Sequence, residues 1–449
     1  MQTGGKMNHL DFPEVRRHKD VVAFRQATGE LYAFHARNLQ VAEITDEIWN
    51  ALPPSRFDSA EPFEIPADRL DESSENVRAW ETSEGGAKLL GHERNKFNLT
   101  LNVTQLCNLH CHYCAAGGDG TYGDPVRQIS VEKTLPQIAL LMDRLTTGGE
   151  FNITFLGGEP LLYPQALQAI GLYTLEQGQA RGLKIGFQII TNGTLITESV
   201  IELLAPLKPT ITLSLDGPAE INDLQRPQKN GASSTELAIR GLKTLLQHKS
   251  RFQSVLLHAV FNRHHTDVEK VWDFFQQFPV DKMEFTFDVT EKDENANLAF
   301  VAGLKSAARK AANQGGEKEL RRIQYFDVYF SQLDEQYRRE NHCGTGKSLL
   351  SLDARNQVFQ CPLEVSFKDR LVGQDTNVRW ERLKPLQAPL IELNSCGTCW
   401  ARFLCGGGCL FNHESLTGDK HSKHVTYCIR TRHLLSEVLM YYKAFRETE

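Results

Sequence analysis

The chain between residues 97 and 287 alternates between two hydrophobic periods. Short runs rich in Val, Ile, Leu, Phe and Thr predict β-strands, and the segments between them carry apolar residues at helical spacing. The predicted strands span residues 97–103, 151–156, 183–191, 210–215, 254–261 and 282–287. The predicted helices span residues 131–147, 164–179, 198–204, 235–248 and 268–275. Strands that alternate with helices predict an α/β fold with a parallel sheet, closed or nearly so, whose active face lies at the carboxyl ends of the strands.

The flanking segments differ from this core in pattern. Two apolar runs, 21–24 and 30–34, enclose Gly29 and predict a hairpin, and apolar spacing over 38–52 predicts a helix. The proline- and acid-rich residues that follow predict a linker with one polar helix near residues 76–80. The expected division of the chain is an α+β module at 1–52, a linker at 53–92, the barrel at 93–300, bridging helices at 301–342 and a cysteine-rich domain at 343–449.

Composition excludes several partner classes. The 449 residues carry a formal net charge of −6, so no global basic field favours nucleic acid. No stretch reaches the roughly 20 apolar residues that span a bilayer, and residues 1–30 lack the apolar segment of a signal peptide. We expect a cytoplasmic protein that does not bind membranes. In that compartment its ten cysteines are metal ligands or catalytic thiols rather than disulfides.

Three cysteines, Cys107, Cys111 and Cys114, follow the first predicted strand of the barrel with C-x3-C-x2-C spacing. A tetrahedral zinc ion or a four-iron cluster takes four ligands, so this triplet leaves one coordination position open to a substrate. The alternative is a zinc site completed by a neighbouring histidine, His110 or His112.

Further motifs stand at the ends of the next three strands. They are Gly157-Gly158-Glu159-Pro160, Thr191-Asn192-Gly193 and Ser214-Leu215-Asp216-Gly217. Each is a common turn by itself, but in register with C-x3-C-x2-C over residues 97–290 they resemble the radical S-adenosylmethionine (SAM) family. The resemblance implies an oxidoreductase-type enzyme that generates a 5′-deoxyadenosyl radical, with a partial (β/α)6 TIM-like barrel as its core.

The resemblance also implies roles for individual residues. Cys107, Cys111 and Cys114 would hold a catalytic [4Fe-4S] cluster whose fourth iron binds SAM. Gly157, Gly158 and Glu159 would face the amino group of SAM, where only glycine lets the backbone approach closely. The other implied cofactor contacts are Tyr113 near the adenine, Ser214 at the ribose, Arg226 at the carboxylate, and Asn192 and Asp216 at their strand ends.

The seven remaining cysteines follow the order and spacing of the SPASM extension of radical SAM enzymes. That resemblance implies two auxiliary [4Fe-4S] clusters, one held by Cys396, Cys399, Cys405 and Cys428 and the other by Cys343, Cys361 and Cys409. The second set lacks a fourth cysteine, and the nearby positions hold Tyr337, Arg338 and His342. We therefore hypothesise an open or non-cysteine ligand, with an open iron able to bind a substrate thiolate. The alternative is a structural zinc ribbon at 396–409.

The substrate is indicated by weaker similarities. Residues 115–123 are similar to the glycine-rich continuation in maturases of ribosomally made peptides, and the N-terminal module is similar in size and place to their leader-recognition module, which binds by strand addition. We expect a cross-link, thioether or cyclophane, in a precursor peptide. The expected partners are that peptide and an electron donor such as flavodoxin or ferredoxin.

Two other functions stay open at this point. A maturase of anaerobic sulfatases would form formylglycine, but such enzymes carry Asp directly after the second tail cysteine, where this chain has Pro362. Glu364 is a candidate base, although an exposed, solvated side chain is the simpler expectation. A non-catalytic iron-sulfur or zinc scaffold would not cleave SAM.

Overall fold

The computed structural model describes residues 13–26, 28–57, 71–89, 95–114, 128–365 and 367–446. The glycine-rich continuation at 115–123 lies outside these ranges. Within them, no helix has both the length and the apolar character that a membrane span requires.

The N-terminal module is an antiparallel sheet with the strand order β4-β3-β2-β1-β5. Its strands are β1 (Glu14–His18), β2 (Val21–Arg25), β3 (Leu31–His35), β4 (Gln40–Glu43) and β5 (Pro54–Ser55). Two helices, α1 (Asp46–Ala51) and α2 (Glu72–Thr82), pack on it. The predicted hairpin is present as β2 and β3, and the polar helix is present as α2.

The prediction of one helix over 38–52 is wrong in its first half. Val41 pairs with Phe34 in the ladder between β3 and β4, so this apolar residue belongs to a strand. The helix starts only after Thr45, whose hydroxyl accepts a hydrogen bond from the Ile48 amide. Part of the predicted linker also joins the module, since β5 pairs with β1. A short strand, β6 (Lys88–Leu89), follows.

The core is a row of six parallel strands that neighbour one another in chain order. They are β7 (Lys96–Thr104), β8 (Glu150–Gly157), β9 (Lys184–Thr191), β10 (Thr210–Ser214), β11 (Ser254–Phe261) and β12 (Lys282–Phe287). The helices between them are α3 (Val131–Met142), α4 (Pro164–Arg181), α5 (Glu198–Leu204), α6 (Ala219–Gln225), α7 (Thr235–Gln247) and α8 (Val268–Phe275). This is the partial (β/α)6 barrel that the sequence predicts.

The two faces of these strands differ in polarity. On β8, Phe151, Ile153 and Phe155 are fully buried in the hydrophobic core. The alternate positions are polar and hydrogen-bond across the strands: the Asn152 amide nitrogen donates to Asn98 Oδ1 at 3.1 Å, and Thr154 Oγ1 lies 3.4 Å from Gln188 Oε1. Period-two alternation thus gives the barrel an apolar outer layer and a polar interior.

The cysteine-rich region continues the barrel's sheet. Strand β14 (Leu349–Leu352) runs parallel to β7. The sheet then continues through β15 (Gln357–Phe359), β16 (Gly373–Gln374) and β17 (Asn377–Val378). Strand β13 (Tyr337–Arg338) pairs with β6. The remaining helices are α9 (Glu294–Leu320), bent at Gly315 and Gly316, α10 (Gln324–Asp334), α11 (Leu390–Leu393), α12 (Arg402–Cys405), α13 (Leu410–Thr417) and α14 (Val425–Arg446).

A buried ion pair joins the N-terminal module to the cysteine-rich region. Arg402 on α12 contacts Asp20 at 2.6 Å, and both side chains are more than nine-tenths buried. Around this pair, Trp400 packs edge-on against Phe24, and the Tyr32 hydroxyl donates to the Ser436 carbonyl at 2.9 Å. Burial acts to raise the pKa of Asp20, but Arg402 and Arg37 outweigh it and hold that pKa below its usual value.

We expect the stability of this docking to depend on pH through Asp20. Because its folded-state pKa is depressed, the stabilisation is present above the unfolded value of ~3.9 and is lost as the pH falls through the folded-state pKa. Asp20→Asn leaves Arg402 buried without its partner and should lower the free energy of unfolding at neutral pH by about 3 kcal/mol. Urea unfolding followed by tryptophan fluorescence checks both effects.

The matched control is Asp46→Asn, which removes the exposed partner of Arg25 in the same module. Its effect should stay below about 1 kcal/mol. Equal losses in the two variants would contradict a special role for the buried pair.

Candidate active site

The three-cysteine loop, residues 105–114, is held by strand-like pairing with the chain after α6. The amide of His110 donates to the Pro227 carbonyl at 2.9 Å, and that of His112 donates to the Gln225 carbonyl at 3.0 Å. The loop leaves the end of β7 next to an irregularity between Asn102 and Thr104. Its position at the carboxyl end of the sheet is therefore set by backbone hydrogen bonds on both sides.

The Gly157-Gly158-Glu159 turn touches the backbone of the three-cysteine loop. The Gly158 amide donates to the Thr104 carbonyl at 3.0 Å, and the Glu159 amide donates to the Leu106 carbonyl at 2.8 Å. A Cβ atom on Gly158 would lie 2.0 Å from the Leu106 oxygen, and Gly157 has a φ of +130°. Only glycine satisfies both requirements, so this pair of residues allows the two loops to meet.

The Glu159 carboxylate connects this turn to the end of β9 through hydrogen bonds. It is 1% exposed and accepts hydrogen bonds from the Leu161 amide at 2.9 Å, the Thr191 hydroxyl at 2.7 Å and the Asn192 amide at 2.8 Å. Burial raises its pKa, against the effect of these hydrogen bonds. All three donors belong to the protein, and contact with SAM stays a prediction.

Asn192 links the turn after β9 to the three-cysteine loop. Its amide nitrogen donates to Asn108 Oδ1 at 2.8 Å and lies 3.9 Å from Cys107 Sγ. The Asn108 amide nitrogen in turn donates to the Thr194 hydroxyl at 2.8 Å. The two loops therefore form one hydrogen-bonded unit around the Cys107 sulfur.

A second set of hydrogen bonds holds the loop, and it joins Tyr113 of the loop to Asp216 and Arg226. The Tyr113 hydroxyl donates to the Asp216 carboxylate, 2.8 Å from Oδ2, and accepts a short hydrogen bond from Arg226. Asp216 also accepts from the Val260 amide at 3.1 Å. Burial raises the pKa of Tyr113, so its hydroxyl keeps the proton that this bridge needs. Ser214 is buried at the end of β10, on the same side of the sheet.

The donor set of the loop fits an iron-sulfur cluster. Burial is the main cause that raises the pKa of the Cys107 thiol to about 12, and Cys111 and Cys114 lie close enough to contribute. Metal binding displaces such protons from thiols, and three soft thiolates are the ligands that these clusters take. In the part of the chain that the structure describes, no three His, Cys, Asp or Glu side chains lie close enough together to hold a single metal ion.

Asn102 is a further site residue that the sequence reasoning missed. It is fully buried on β7 next to the loop, and neither its amide nitrogen nor its amide oxygen has a hydrogen-bond partner. It lies two residues beyond Thr100 and four beyond Asn98, on the polar face of the strand. The signal was present in the alternation Leu99-Thr100-Leu101-Asn102-Val103.

A cavity of about 610 Å³ opens beside the three-cysteine loop. Its lining includes Tyr113, Gln225, Asn262, Arg263 and Glu291. The Arg263 guanidinium is the first of several groups that lower the pKa of Glu291, to about 2, so both side chains are charged at neutral pH. The cavity therefore combines the space for a small ligand or a side chain with a charged wall.

The seven cysteines of the tail separate into two groups. Cys396, Cys399, Cys405 and Cys428 line one cavity of about 220 Å³. Cys343, Cys361 and Cys409 form the other group, where burial and then Glu364 raise the pKa of Cys361 and the two other thiols add to the effect. This is the grouping that the sequence predicts, and ligation of clusters by either group stays a prediction.

The expectation of an exposed Glu364 is wrong. Its side chain is 5% exposed, because the short helical turn Pro362–Glu364 that starts at Cys361 folds it inward. Gln360 donates to its Oε1 at 2.9 Å, while Arg370 stands 3.6 Å away and binds Glu414 instead. Burial raises the pKa of Glu364. Arg402, interpreted from the sequence as a local charge partner, pairs with Asp20 in another module.

Comparisons with known proteins bear on this site. Residues 101–275 match the model of the Radical SAM superfamily. The serine-type anaerobic sulfatase-maturating enzyme of Klebsiella aerogenes is 27% identical over 323 residues, 68% of this chain and 76% of the relative. The radical SAM cyclopropyl synthase TigE of Paramaledivibacter caminithermalis is 23% identical over 357 residues, 73% of each chain.

The fold has solved counterparts. The structure titled Native anSMEcpe with bound AdoMet superposes with a TM-score of 0.63 at 19% identity and covers 78% of this chain and 100% of its own. The agreement covers more than the barrel, so the two chains share most of their fold.

We expect Gly158→Ala to disturb the three-cysteine loop without unfolding the barrel. The added methyl group would collide with the backbone of Leu106 and displace the loop by a fraction of an ångström to an ångström. A shift of this size at reacting groups lowers turnover by about 100-fold. The measurement is the rate of 5′-deoxyadenosine release from SAM by reduced, reconstituted protein. Gly397→Ala, in the loop between Cys396 and Cys399 where a Cβ meets nothing within 4 Å, is the control and should leave the rate unchanged.

Proposed function

We propose that this chain, which is a radical SAM enzyme related to protein and peptide maturases, modifies a ribosomally synthesised precursor peptide by installing a cross-link, either a thioether or a cyclophane. The observation that carries the choice of a peptide is the N-terminal sheet, which is fixed to the cysteine-rich region and has an edge strand available for pairing.

Different residues of the site would hold the two cofactors, the [4Fe-4S] cluster and SAM. Cys107, Cys111 and Cys114 would hold the [4Fe-4S] cluster, and Gly157 and Gly158 let the neighbouring turn approach it. When bound, the cluster and SAM supply a 5′-deoxyadenosyl radical that abstracts a hydrogen atom from carbon. The Tyr113 hydroxyl keeps Asp216 and Arg226 in place beneath the loop. Arg226 is then positioned to neutralise a carboxylate of a bound ligand.

The two tail groups are proposed to hold auxiliary [4Fe-4S] clusters. Four cysteines around one cavity would complete one cluster, and three cysteines would hold the second. Two such clusters would provide a route for the electron that leaves the substrate when a cross-link forms. The electron acceptor or donor outside the chain is proposed to be a flavodoxin or a ferredoxin.

The relatives support a polypeptide substrate. By its name, the Klebsiella aerogenes relative matures sulfatases, and a solved counterpart is titled Native anSMEcpe with bound AdoMet and Cp18Cys peptide. The TigE relative is named for the synthesis of a cyclopropyl group, a three-membered carbon ring. For this chain we favour cross-link formation over formylglycine formation because Pro362 stands directly after Cys361, where a proline has no acid-base function.

Strand β4 is the proposed docking edge for the peptide. Among the residues that the structure describes, β4 pairs only with β3, so its other side offers backbone amides and carbonyls to an added strand. An extended peptide binds such an edge through main-chain hydrogen bonds. Because the buried pair Asp20 and Arg402 fixes the module to the cysteine-rich region, a peptide on β4 is tethered to the body of the enzyme, which raises its effective concentration.

The proposal is tested with candidate precursor peptides, starting with any short open reading frame found next to the gene for this chain. Reduced, reconstituted enzyme with SAM should release 5′-deoxyadenosine and remove two hydrogen atoms from the peptide, as read by tandem mass spectrometry. A variant with Cys107, Cys111 and Cys114 all changed to Ala is the control and should do neither. Conversion of a serine or cysteine to formylglycine would instead identify a sulfatase maturase, and loaded clusters without 5′-deoxyadenosine would identify a scaffold.

We expect proline substitutions on the two sides of β4 to have different effects on the fold and on peptide binding. Val41 and Ala42 are adjacent, so their amides point to opposite sides of the strand. The Ile44 amide donates to the Leu31 carbonyl at the start of β3, so the amide of Ala42, two residues earlier, lies on the inner side and that of Val41 on the outer side. Ala42→Pro, the inner-side variant, breaks the ladder to β3 and destabilises the module, whereas Val41→Pro, the outer-side variant, leaves the fold intact and removes one hydrogen bond to the peptide. Peptide affinity measured by fluorescence anisotropy should fall about tenfold in the outer-side variant. Unchanged affinity in a folded outer-side variant would exclude β4 as the docking edge.

A further inference from the structure

In the tail, Cys343, Cys361 and Cys409 would provide three of the four ligands that a four-iron cluster takes. The structure limits which side chain can provide the fourth. The Cys343 and Cys409 thiols lie close enough to Cys361 to contribute to the raised pKa of its thiol. No other cysteine is free for this group, since the remaining four tail cysteines line their own cavity. The fourth ligand, if the chain supplies one, is another side chain.

The residues just before Cys343 already have other partners. Tyr337 and Arg338 form β13 and pair with β6. His342 is half-buried, and its Nδ1 lies 3.2 Å from the Cys405 carbonyl, on the side of the four-cysteine group. That contact occupies Nδ1 alone, so His342 Nε2 is the competing donor, and the Glu364 variants described below distinguish the two.

Glu364 has the properties of the missing donor. It is 5% exposed, and its Oε2 atom is buried without any hydrogen-bond partner. A buried carboxylate oxygen without a partner costs free energy unless something binds it. The side chain sits on the turn that starts at Cys361, where the Glu364 amide donates to the Cys361 carbonyl at 3.1 Å.

Neighbouring side chains leave this oxygen available. Gln360 donates to the other oxygen, Oε1, at 2.9 Å and so fixes the orientation of the carboxylate. Arg370, the nearest cation, makes its short contact of 2.6 Å with Glu414. The arrangement is that of an anchored ligand, with one oxygen held by the protein and the other presented to an ion.

We propose that Glu364 is the fourth protein ligand of an iron-sulfur cluster held by Cys343, Cys361 and Cys409. The inference rests on the proposed presence of an auxiliary cluster at these cysteines. A carboxylate oxygen is a harder and weaker electron donor than a thiolate, and iron accepts both. Replacing one thiolate by such a ligand raises the reduction potential, as histidine does in Rieske centres. The cluster therefore differs in potential from its four-cysteine neighbour.

This assignment competes with an iron left open for a substrate thiolate. With Glu364 bound, the resting cluster is closed, and its unique iron is more firmly held than in a cluster with three protein ligands. Mild oxidation removes the least firmly held iron of a cubane and leaves a paramagnetic three-iron form. The rate at which that form appears therefore reports whether a fourth ligand is present.

The test uses the full chain with Cys107, Cys111 and Cys114 changed to Ala, so that only tail clusters remain. The parent should contain about eight iron atoms per chain. Glu364→Gln keeps the size of the side chain and its contact with Gln360, and it should form the three-iron signal in electron paramagnetic resonance about tenfold faster than the parent. Glu364→Cys should slow the formation of that signal and lower the reduction potential, because an all-cysteine cluster results.

Glu381→Gln is the matched control, since it neutralises an exposed carboxylate of the same region that contacts neither Glu364 nor Arg370. It should match the parent. The proposal is overturned if Glu364→Gln and Glu364→Cys both match the parent in oxidation rate and potential while holding about eight iron atoms. An iron content of about four in the parent itself would instead overturn the auxiliary cluster on which the proposal rests.

Discussion

The close approach of two backbones at the carboxyl end of the sheet is the constraint on which the site depends. The turn after β8 lies against the three-cysteine loop so tightly that a side chain at Gly158 would overlap the Leu106 carbonyl. This contact sets where the loop can run, and hence where Cys107, Cys111 and Cys114 point. Glu159 and Asn192 then extend the same hydrogen-bonded unit to β9. The cysteines are thus positioned by main-chain geometry that exists before any cluster is loaded.

The barrel could be predicted closely because its signals are local. The strand at 254–261 and the helix at 268–275 have the bounds that the hydrophobic period predicts. The hydrophobic pattern does not predict α6, which is short and mostly polar, and it predicts a helix in place of β4 because Val41 fits either period. The motif residues do converge at the strand ends, since parallel strands bring their carboxyl ends to one edge. The role of Glu159 as a buried tie between loops is not visible in its motif.

Long-range pairing accounts for the rest of what the sequence could not reveal. Asp20 and Arg402 are 382 positions apart, and no pattern near either residue marks the other as its partner. The burial of Glu364 depends on the turn that starts at Cys361 and on Gln360, so an acid that looks solvated in the sequence becomes an unpaired carboxylate in the fold. Both cases concern charges whose environment is built by distant elements.

The pairing of β14 with β7 means that the cysteine-rich region covers an edge of the barrel's sheet. Strand β7 is the first and longest strand of the barrel, and β14 covers the side that β8 does not. A chain that ended before Leu349 would leave this side as an unsatisfied edge, a template for pairing between molecules. The cysteine-rich region therefore also protects the protein against aggregation. During synthesis, this edge of the barrel stays unpaired until β14, at Leu349–Leu352, has emerged from the ribosome.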